Sequence, residues 1–189
     1  MHHPFENIQP QKLKLYFWPL LAATLVIMVL MNVIGAPLIT SQAPSGIISY
    51  ELAGSIPNAT AILNSWNQDA RLHAAFSLGF DYLFMLAYSS TIAMACVWAG
   101  RTLQRRKWPL ADVARPLAWA QWLAALMDGL ENLGLTLILF SSAVSPWPEI
   151  ARWSAILKFS LIFLGMIYAF YGLAVSLLSR MKPEESRNA

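Results

Sequence analysis

The chain has 189 residues, of which 57% are hydrophobic and only 12% are charged. Soluble domains carry about a quarter charged residues, so this composition excludes an ordinary soluble domain and predicts a small helical bundle in a membrane. The net charge of +3 is not gathered into an aromatic-rich basic patch, which excludes nucleic acid as an expected partner, and the single cysteine, Cys96, excludes an intrachain disulfide or cysteine-based zinc site.

Four apolar runs predict four membrane-spanning helices, at residues 15–35, 75–99, 117–140 and 151–178. Each run is long enough to cross about 30 Å of hydrocarbon at a rise of about 1.5 Å per residue. The first run is longer than the apolar core of a signal peptide, so we expect an uncleaved helix. The predicted fold is an all-α, four-helix transmembrane bundle that forms a single domain over residues 1–189.

The longest connection, residues 36–74, lies between the first two spans and contains three prolines, which exclude one continuous helix. Residues 46–53 and 58–70 are each predicted to form a short helix. Loops of this length in compact proteins tend to be either functional or disordered. Because this one contains enough apolar residues to pack, we expect an ordered cap over the bundle.

The lysines and arginines indicate the orientation. They are concentrated in residues 1–14, in residues 100–116 and in the C-terminal tail, whereas segments 36–74 and 141–150 together contain only Arg71. An excess of positive residues marks the cytoplasmic side of a membrane. We therefore expect both termini in the cytoplasm, the cap on the extracytoplasmic face, and a multi-pass location in a bacterial inner membrane.

Two carboxylates and an amide lie in the middle of the third apolar run. Asp128, Glu131 and Asn132 are spaced i, i+3 and i+4, which places them on one face of a helix. A charge at bilayer depth is costly, and such residues usually face a bundle interior or a wet cavity, where they mark function. We expect Asp128 near the middle of the membrane.

In each of the other three spans, polar and small residues recur at helical spacing and lie on one face of the helix. The fourth span carries Lys158 on the same face as Gly165, and small residues let helices approach closely in lipid. We expect these faces to converge on a buried acidic cavity that opens toward the extracytoplasmic side beneath the cap. The expected ligand-binding residues are Asn32, Glu51, Trp66, Asp81, Tyr88, Asp128, Glu131, Asn132 and Lys158.

The charges inside the predicted spans do not balance. Asp81, Asp128 and Glu131 are three acids, and Lys158 is the one base. At least two acids therefore need a proton, an arginine from the rim, or a cation. No histidine joins the acids within the spans, which disfavours a metal site, and no cofactor is predicted.

Three classes of function are open. The first, which we favour, is binding of a small cationic or amphiphilic ligand in the acidic cavity, with transport as a sub-case. The second is an intramembrane enzyme acting on a lipid or isoprenoid, with Asp128 and Glu131 as acid and base and Lys158 stabilising charge. The third is an accessory subunit of a larger membrane complex. Expected partners are membrane lipid, such a ligand, and a second copy or a larger complex.

Four stretches carry a resemblance to known sequences. They are the run 43–53, Phe80-Asp81-Tyr82-Leu83-Phe84 with Tyr88, Asp128-x-x-Glu131-Asn132, and Ala151-Arg152-Trp153 with Lys158. In these stretches the chain resembles a group of small, uncharacterised four-span proteins of bacterial inner membranes. The resemblance implies that location and the four-span plan, and it implies no particular activity.

Overall fold

The computed structural model describes residues 2–141 and 144–181. Six α-helices form most of this part of the chain: α1 (Pro10–Gly35), α2 (Ile47–Glu51), α3 (Ile56–Ser65), α4 (Gln68–Arg106), α5 (Ala114–Ser141) and α6 (Trp147–Met181). Helices α1, α4, α5 and α6 are long and apolar enough to cross a membrane, with mean hydropathies of 1.5 to 2.2 in their apolar windows. The predictions of an all-α chain and of four long apolar helices are confirmed.

Local capping signals extend the helices beyond the predicted spans. The Asn67 side chain accepts a hydrogen bond from the backbone N–H of Ala70 and caps the start of α4. At the other end, Lys107 adopts a left-handed conformation with φ of 54°, which commonly terminates helices. The connection between the first two long helices is therefore residues 36–67. The single helix predicted over 58–70 is wrong, because Asn67 starts a new helix there.

The long helices do not contact one another equally. Helices α4, α5 and α6 pack against each other, whereas α1 packs mainly against α4. A hydrogen bond of 2.9 Å joins the hydroxyl groups of Thr24 and Thr91 across the α1–α4 contact. Close approach of α6 to α4 depends on Gly172, because a Cβ at that position would clash with Ala99. The core that positions the site is therefore the three-helix group α4–α6.

Two apolar clusters fill the interior at opposite ends of the long helices. One lies beside the connecting segment (residues 36–67) and includes Trp66 and Leu135. The other lies near the N-terminus and includes Leu13 and Leu103. Between these clusters the buried residues on α4, α5 and α6 are largely polar, so a polar layer separates two apolar cores.

The connecting segment is fixed to the bundle through α2. The buried hydroxyl group of Tyr50 donates a hydrogen bond of 3.1 Å to the backbone carbonyl of Leu135 on α5. Its ring makes an edge contact with Trp66, with the ring centroids 5.2 Å apart. Burial raises the pKa of Tyr50, so the hydroxyl group keeps the proton that it donates. These contacts hold α2 over the ends of α5 and α6.

The N-terminal segment (residues 2–9) folds against the ends of α4 and α5. Nη2 of Arg101 donates hydrogen bonds to backbone carbonyls in this segment, including those of Glu6 and Ile8 at 2.8 Å. The Glu6 carboxylate accepts a hydrogen bond of 2.9 Å from Nε of Arg115. Burial alone would raise the pKa of Glu6, but hydrogen bonds from Arg115 and His2 hold it below its usual range.

We expect acidification below about pH 6.5 to loosen the N-terminal segment. The imidazole of His3 is fully buried against the rings of Phe5, Trp119 and Trp122. Burial lowers its pKa from the ordinary value of 6.5, and the nearby Glu6 carboxylate only partly opposes this. The released segment therefore binds more protons than the docked one below pH 6.5, and docking weakens as pH falls.

Limited proteolysis or hydrogen exchange of the N-terminal segment between pH 7.5 and pH 5 measures this effect. His3→Phe keeps an aromatic ring in the same place and should remove the change in this range. The contribution of Glu6 is lost only below its ordinary pKa of about 4.5, which separates the two groups. An unchanged pH dependence in His3→Phe would contradict the assignment.

Candidate functional site

The polar layer is organised around the ammonium group of Lys158 on α6. Its Nζ lies 2.7 Å from Oδ1 of Asp128 and 2.9 Å from Oε2 of Glu131, both on α5. It also lies 3.6 Å from Oε2 of Glu51, the last residue of α2. None of the four residues is more than 9% exposed. One buried ammonium therefore faces three buried carboxyl groups from two other elements.

Hydrogen bonds from two further residues extend this group to α4. The Tyr88 hydroxyl donates to Oδ2 of Asp128 at 2.8 Å, and the Asn132 amide donates to Oδ2 of Asp81 at 2.6 Å. Asp81 is half-buried and is the least buried of the four acids. We call this set the acidic cluster; it consists of Glu51, Asp81, Tyr88, Asp128, Glu131, Asn132 and Lys158.

Helical spacing explains how the long helices present these side chains. Asp128, Glu131 and Asn132 are all buried, as residues on one face of α5 should be when that face turns inward. Lys158 lies two turns before Gly165, which is also buried, so both belong to the inner face of α6. The structure therefore brings together every residue predicted for the site except two.

Asn32 and Trp66 are the two predicted site residues that lie elsewhere. The Asn32 side chain is exposed, and its amide donates to the carbonyl of Met28 within α1 at 2.8 Å. Among the described residues, the Asn32 side chain forms no hydrogen bond with a member of the acidic cluster. Trp66 is buried in the apolar cluster beside the connecting segment, and its indole N–H donates to the carbonyl of Leu38 at 2.9 Å.

Three buried oxygens near Lys158 and Asp81 form no hydrogen bond with the described residues. They are Oε2 of Glu51, Oε2 of Glu131 and Oγ of Ser77, which is 2% exposed. Ser77 lies one turn before Asp81, on the same face of α4. Each buried unsatisfied polar group costs about 1–3 kcal/mol. Such groups are rare enough in native structures to call for an explanation.

The charge of the acidic cluster is not balanced by the protein. Four carboxyl groups accompany one ammonium, so full ionisation would leave a net negative charge in a buried site. The rim arginines expected to help are engaged elsewhere: Nη2 of Arg71 donates to the carbonyl of Leu63 at 2.7 Å, and the Arg152 side chain packs over Gly54. Because buried charge needs a partner, the cluster requires protons or an added cation.

The centre of the acidic cluster is closed, because Glu51, Asp128, Glu131 and Lys158 are each at most 9% exposed. Two cavities in the described part of the chain lie elsewhere, one of about 220 Å³ on the connecting segment beside Asn58 and one of about 250 Å³ between the start of α1 and the end of α4. Within the described residues, no set of acidic, histidine or cysteine side chains is arranged to hold a metal ion. The Lys158 ammonium lies between the carboxyl groups that such an ion would need.

The basic residues around the second cavity were missed by the sequence reasoning, which used them only as orientation signals. Lys14, Arg101 and Arg105 line that cavity together with Trp98. Arg101 and Arg105 are spaced i, i+4 on α4, and this spacing is the signal that could have identified a shared basic face.

Comparisons with protein-family models, with curated proteins and with solved structures find no match to this chain. The function is therefore inferred from the acidic cluster and its surroundings.

Proposed function

We propose that the chain is a multi-pass membrane protein whose acidic cluster binds a small cation or an amine. Four helices of spanning length support the membrane location. The distribution of lysine and arginine supports a bacterial inner membrane, both termini in the cytoplasm and the connecting segment as an extracytoplasmic cap. Lys182 and Arg187, which contribute to that distribution, lie outside the described residues.

The observation that carries the proposal is the buried carboxyl group of Glu51. It is the one member of the acidic cluster that comes from outside the long helices, and its Oε2 points toward Lys158 without forming a hydrogen bond. Lys158 already bonds to Asp128 and Glu131. A third buried carboxylate adds a desolvation cost that one shared ammonium does not offset, so its retention favours a cationic ligand.

The ligand class follows from the atoms available. The acidic cluster offers carboxyl oxygens and, at its edge, the unused hydroxyl group of Ser77. Such oxygens suit alkali cations and ammonium groups better than soft metals. The Lys158 ammonium already occupies an ammonium-sized position among these oxygens, so a ligand cation would compete with it. Exchange of one cation for another keeps the site close to neutral at low dielectric.

Access to the acidic cluster would come through α2. This five-residue helix is flanked by Gly46 and Gly54, whose φ angles of 58° and 64° lie in the region that glycine adopts without strain. Hinges that absorb a change of backbone dihedrals are short segments of this kind. Rotation of α2 about these positions would withdraw Glu51 and expose Lys158. Its cost includes the hydrogen bond from Tyr50 to α5, worth about 1 kcal/mol, and the exposure of the buried Tyr50 ring, worth about 1.5–3 kcal/mol.

Cation-dependent thermal stability tests the proposal. Purified full-length protein in zwitterionic detergent is melted in lithium, sodium, potassium or methylammonium chloride, with bulky N-methylglucamine chloride holding the ionic strength constant. We expect a saturable rise in Tm with at least one small cation, reaching about 2.7 kcal/mol of stabilisation at a hundredfold excess over Kd. Glu51→Gln should weaken the apparent affinity at least tenfold.

Asp69→Asn is the matched control, because the Asp69 side chain is 77% exposed in the first turn of α4. It removes the same charge from a position outside the acidic cluster and should leave the cation response unchanged. The proposal fails when no small cation gives a saturable response, or when Glu51→Gln responds as the wild type does.

A structural role in a larger complex is the second candidate, and the closed state of the acidic cluster favours it. Its central residues are almost fully buried, and neither described cavity is lined by them; they are Glu51, Asp128, Glu131 and Lys158. Buried polar groups of this kind can fix how helices pair without binding a ligand. In that case the cation titration gives no response, and Asp128→Asn lowers Tm at every salt composition.

A further inference from the structure

The cavity of about 250 Å³ lies at the opposite end of α4 from the connecting segment. It is bounded by the first turn of α1 and the last turns of α4. Its polar lining comprises Gln11, Lys14, Arg101, Thr102 and Arg105, and Trp98 forms an aromatic wall. None of the lining residues is acidic. Three cationic side chains around one concave site select an anion.

The start of α1 adds to this preference. The Gln9 side chain makes no capping hydrogen bond, and the helix begins with Pro10. The first turn of a helix carries the positive end of its dipole. Pro10 has no N–H and the Leu13 N–H bonds to the Gln9 carbonyl, so the free backbone donor among the lining residues of this turn is that of Gln11. The helix end and the side chain of Lys14 therefore both favour an anion in the cavity.

Arg101 supplies the second, independent observation. Its Nη2 donates to backbone carbonyls of the N-terminal segment, so the guanidinium plane is fixed. Its Nη1 is buried and has no acceptor among the described residues. Guanidinium groups bind phosphate through paired donors, and a fixed plane loses little entropy on doing so. Arg101 lines the cavity and forms no salt bridge with a carboxylate of the described residues, so its positive charge can attract an oxyanion there.

The surroundings identify the source of that oxyanion. Lys14 is held with its Nζ 5.2 Å from the centroid of the Trp98 ring, which keeps the ammonium at the cavity wall. Directly beyond the cavity, α1 presents apolar side chains to the surroundings, including Leu15 at 67% and Trp18 at 59% exposure. A headgroup in the cavity would therefore have its acyl chains along an exposed apolar helix face.

We propose that this basic cavity binds the phosphate group of an anionic phospholipid, with the acyl chains lying along the exposed face of α1. Basic pockets between membrane helices on the cytoplasmic side bind such headgroups. In the orientation proposed above, the cavity faces the cytoplasmic leaflet. The site is separate from the acidic cluster and does not depend on its ligand.

Native mass spectrometry of the full-length protein tests the site. The protein is released from mixed micelles containing phosphatidylglycerol and phosphatidylcholine with identical acyl chains. We expect phosphatidylglycerol to be retained at several times the occupancy of phosphatidylcholine. Lys14→Gln combined with Arg105→Gln should lower that occupancy at least fivefold, whereas Arg101 is left intact because it holds the N-terminal segment.

Lys12→Gln combined with Arg106→Gln is the matched control. It removes the same charge from the same two helices, at exposed positions that do not line the cavity. An equal loss of phosphatidylglycerol occupancy in this control would show that the effect is general electrostatic attraction, which would overturn the proposal. Equal retention of phosphatidylglycerol and phosphatidylcholine by the wild type would also overturn it. The single variants Lys14→Gln and Arg105→Gln repeat the measurement with less perturbation, and each should show a partial loss.

A final measurement tests whether soluble anions bind the cavity. Inorganic phosphate and glycerol 1-phosphate are added at millimolar concentration to protein in phosphatidylcholine alone, and Tm is measured. Phosphatidylglycerol should raise Tm at far lower concentration than either soluble anion. Saturation by inorganic phosphate with no competition from phosphatidylglycerol would assign the cavity to a soluble phosphate and overturn the lipid assignment.

Discussion

Lys158→Met is expected to lower the free energy of unfolding by about 3–5 kcal/mol, the range measured when one partner of a buried ion pair is removed. The substitution leaves the carboxyl groups of Asp128, Glu131 and Glu51 without their shared ammonium. Methionine fills much of the volume of lysine, so the loss reports charge rather than packing. Unfolding of the purified protein in mixed micelles, followed by tryptophan fluorescence, measures the change.

Lys12→Met is the control, because Lys12 is exposed and the same change there removes no buried partner. It should alter stability by less than about 0.5 kcal/mol. Adding Glu131→Gln to Lys158→Met should recover part of the loss, since one fewer buried carboxyl group then needs a counter-charge. A loss under about 1 kcal/mol in Lys158→Met would contradict an ion pair at the centre of the cluster.

Gly172→Leu is expected to lower the free energy of unfolding by about 3 kcal/mol, because it overpacks the contact between α6 and α4. A Cβ at Gly172 would lie 2.6 Å from Cα of Ala99, and backbone cannot move aside as a flexible side chain can. The two helices must then separate at this contact. The same unfolding assay measures the loss.

Gly79→Leu provides the comparison for this substitution. Gly79 lies within α4, and a Cβ there would meet nothing within 4 Å. Leucine is the better helix former by roughly 0.5–1 kcal/mol, so this variant should be as stable as the wild type or slightly more stable. Similar losses of stability in Gly172→Leu and Gly79→Leu would mean that overpacking of the α4–α6 contact does not cause the loss at Gly172.

Hydropathy and helical spacing were sufficient to predict the long helices and the inner face of α5. The apolar runs had to be helical to satisfy their backbone groups in a membrane. Asp128, Glu131 and Asn132 had to turn inward because lipid cannot solvate them. Lys158 could be assigned to the predicted site because it shares a helix face with Gly165, and small residues mark helix contacts. Each of these predictions depends on one helix and the solvent around it.

The predictions for Asn32 and Trp66 required knowledge of what neighbours each side chain, and the sequence does not supply it. A polar residue in a helix can satisfy its side chain on a carbonyl one turn back, as Asn32 does with Met28. A polar face therefore does not require a partner helix. Trp66 likewise met its N–H requirement within the connecting segment. Burial of Trp66 followed from its apolar ring.

The N-terminal segment shows a second limit of single-sequence reasoning. Its apolar residues Phe5 and Ile8 form no periodic pattern, and its position depends in part on Arg101 and Arg115, which lie far away in the chain. Long-range hydrogen bonds of this kind leave no local pattern. The start of α4 differs, because Asn67 is an ordinary N-cap residue and could have been recognised as one.

During synthesis, α5 leaves the ribosome before the lysine that neutralises it. The apolar window of α5 has a mean hydropathy of 1.5, against 2.2 for α6. An aspartate at the centre of a helix costs about 2.5–3.5 kcal/mol on translocon-insertion scales, so Asp128 and Glu131 make α5 a poor substrate for insertion alone. Lys158 reaches the translocon only with the next helix. The two helices are therefore expected to enter the bilayer together as a hairpin, with the ammonium and its carboxylates already paired.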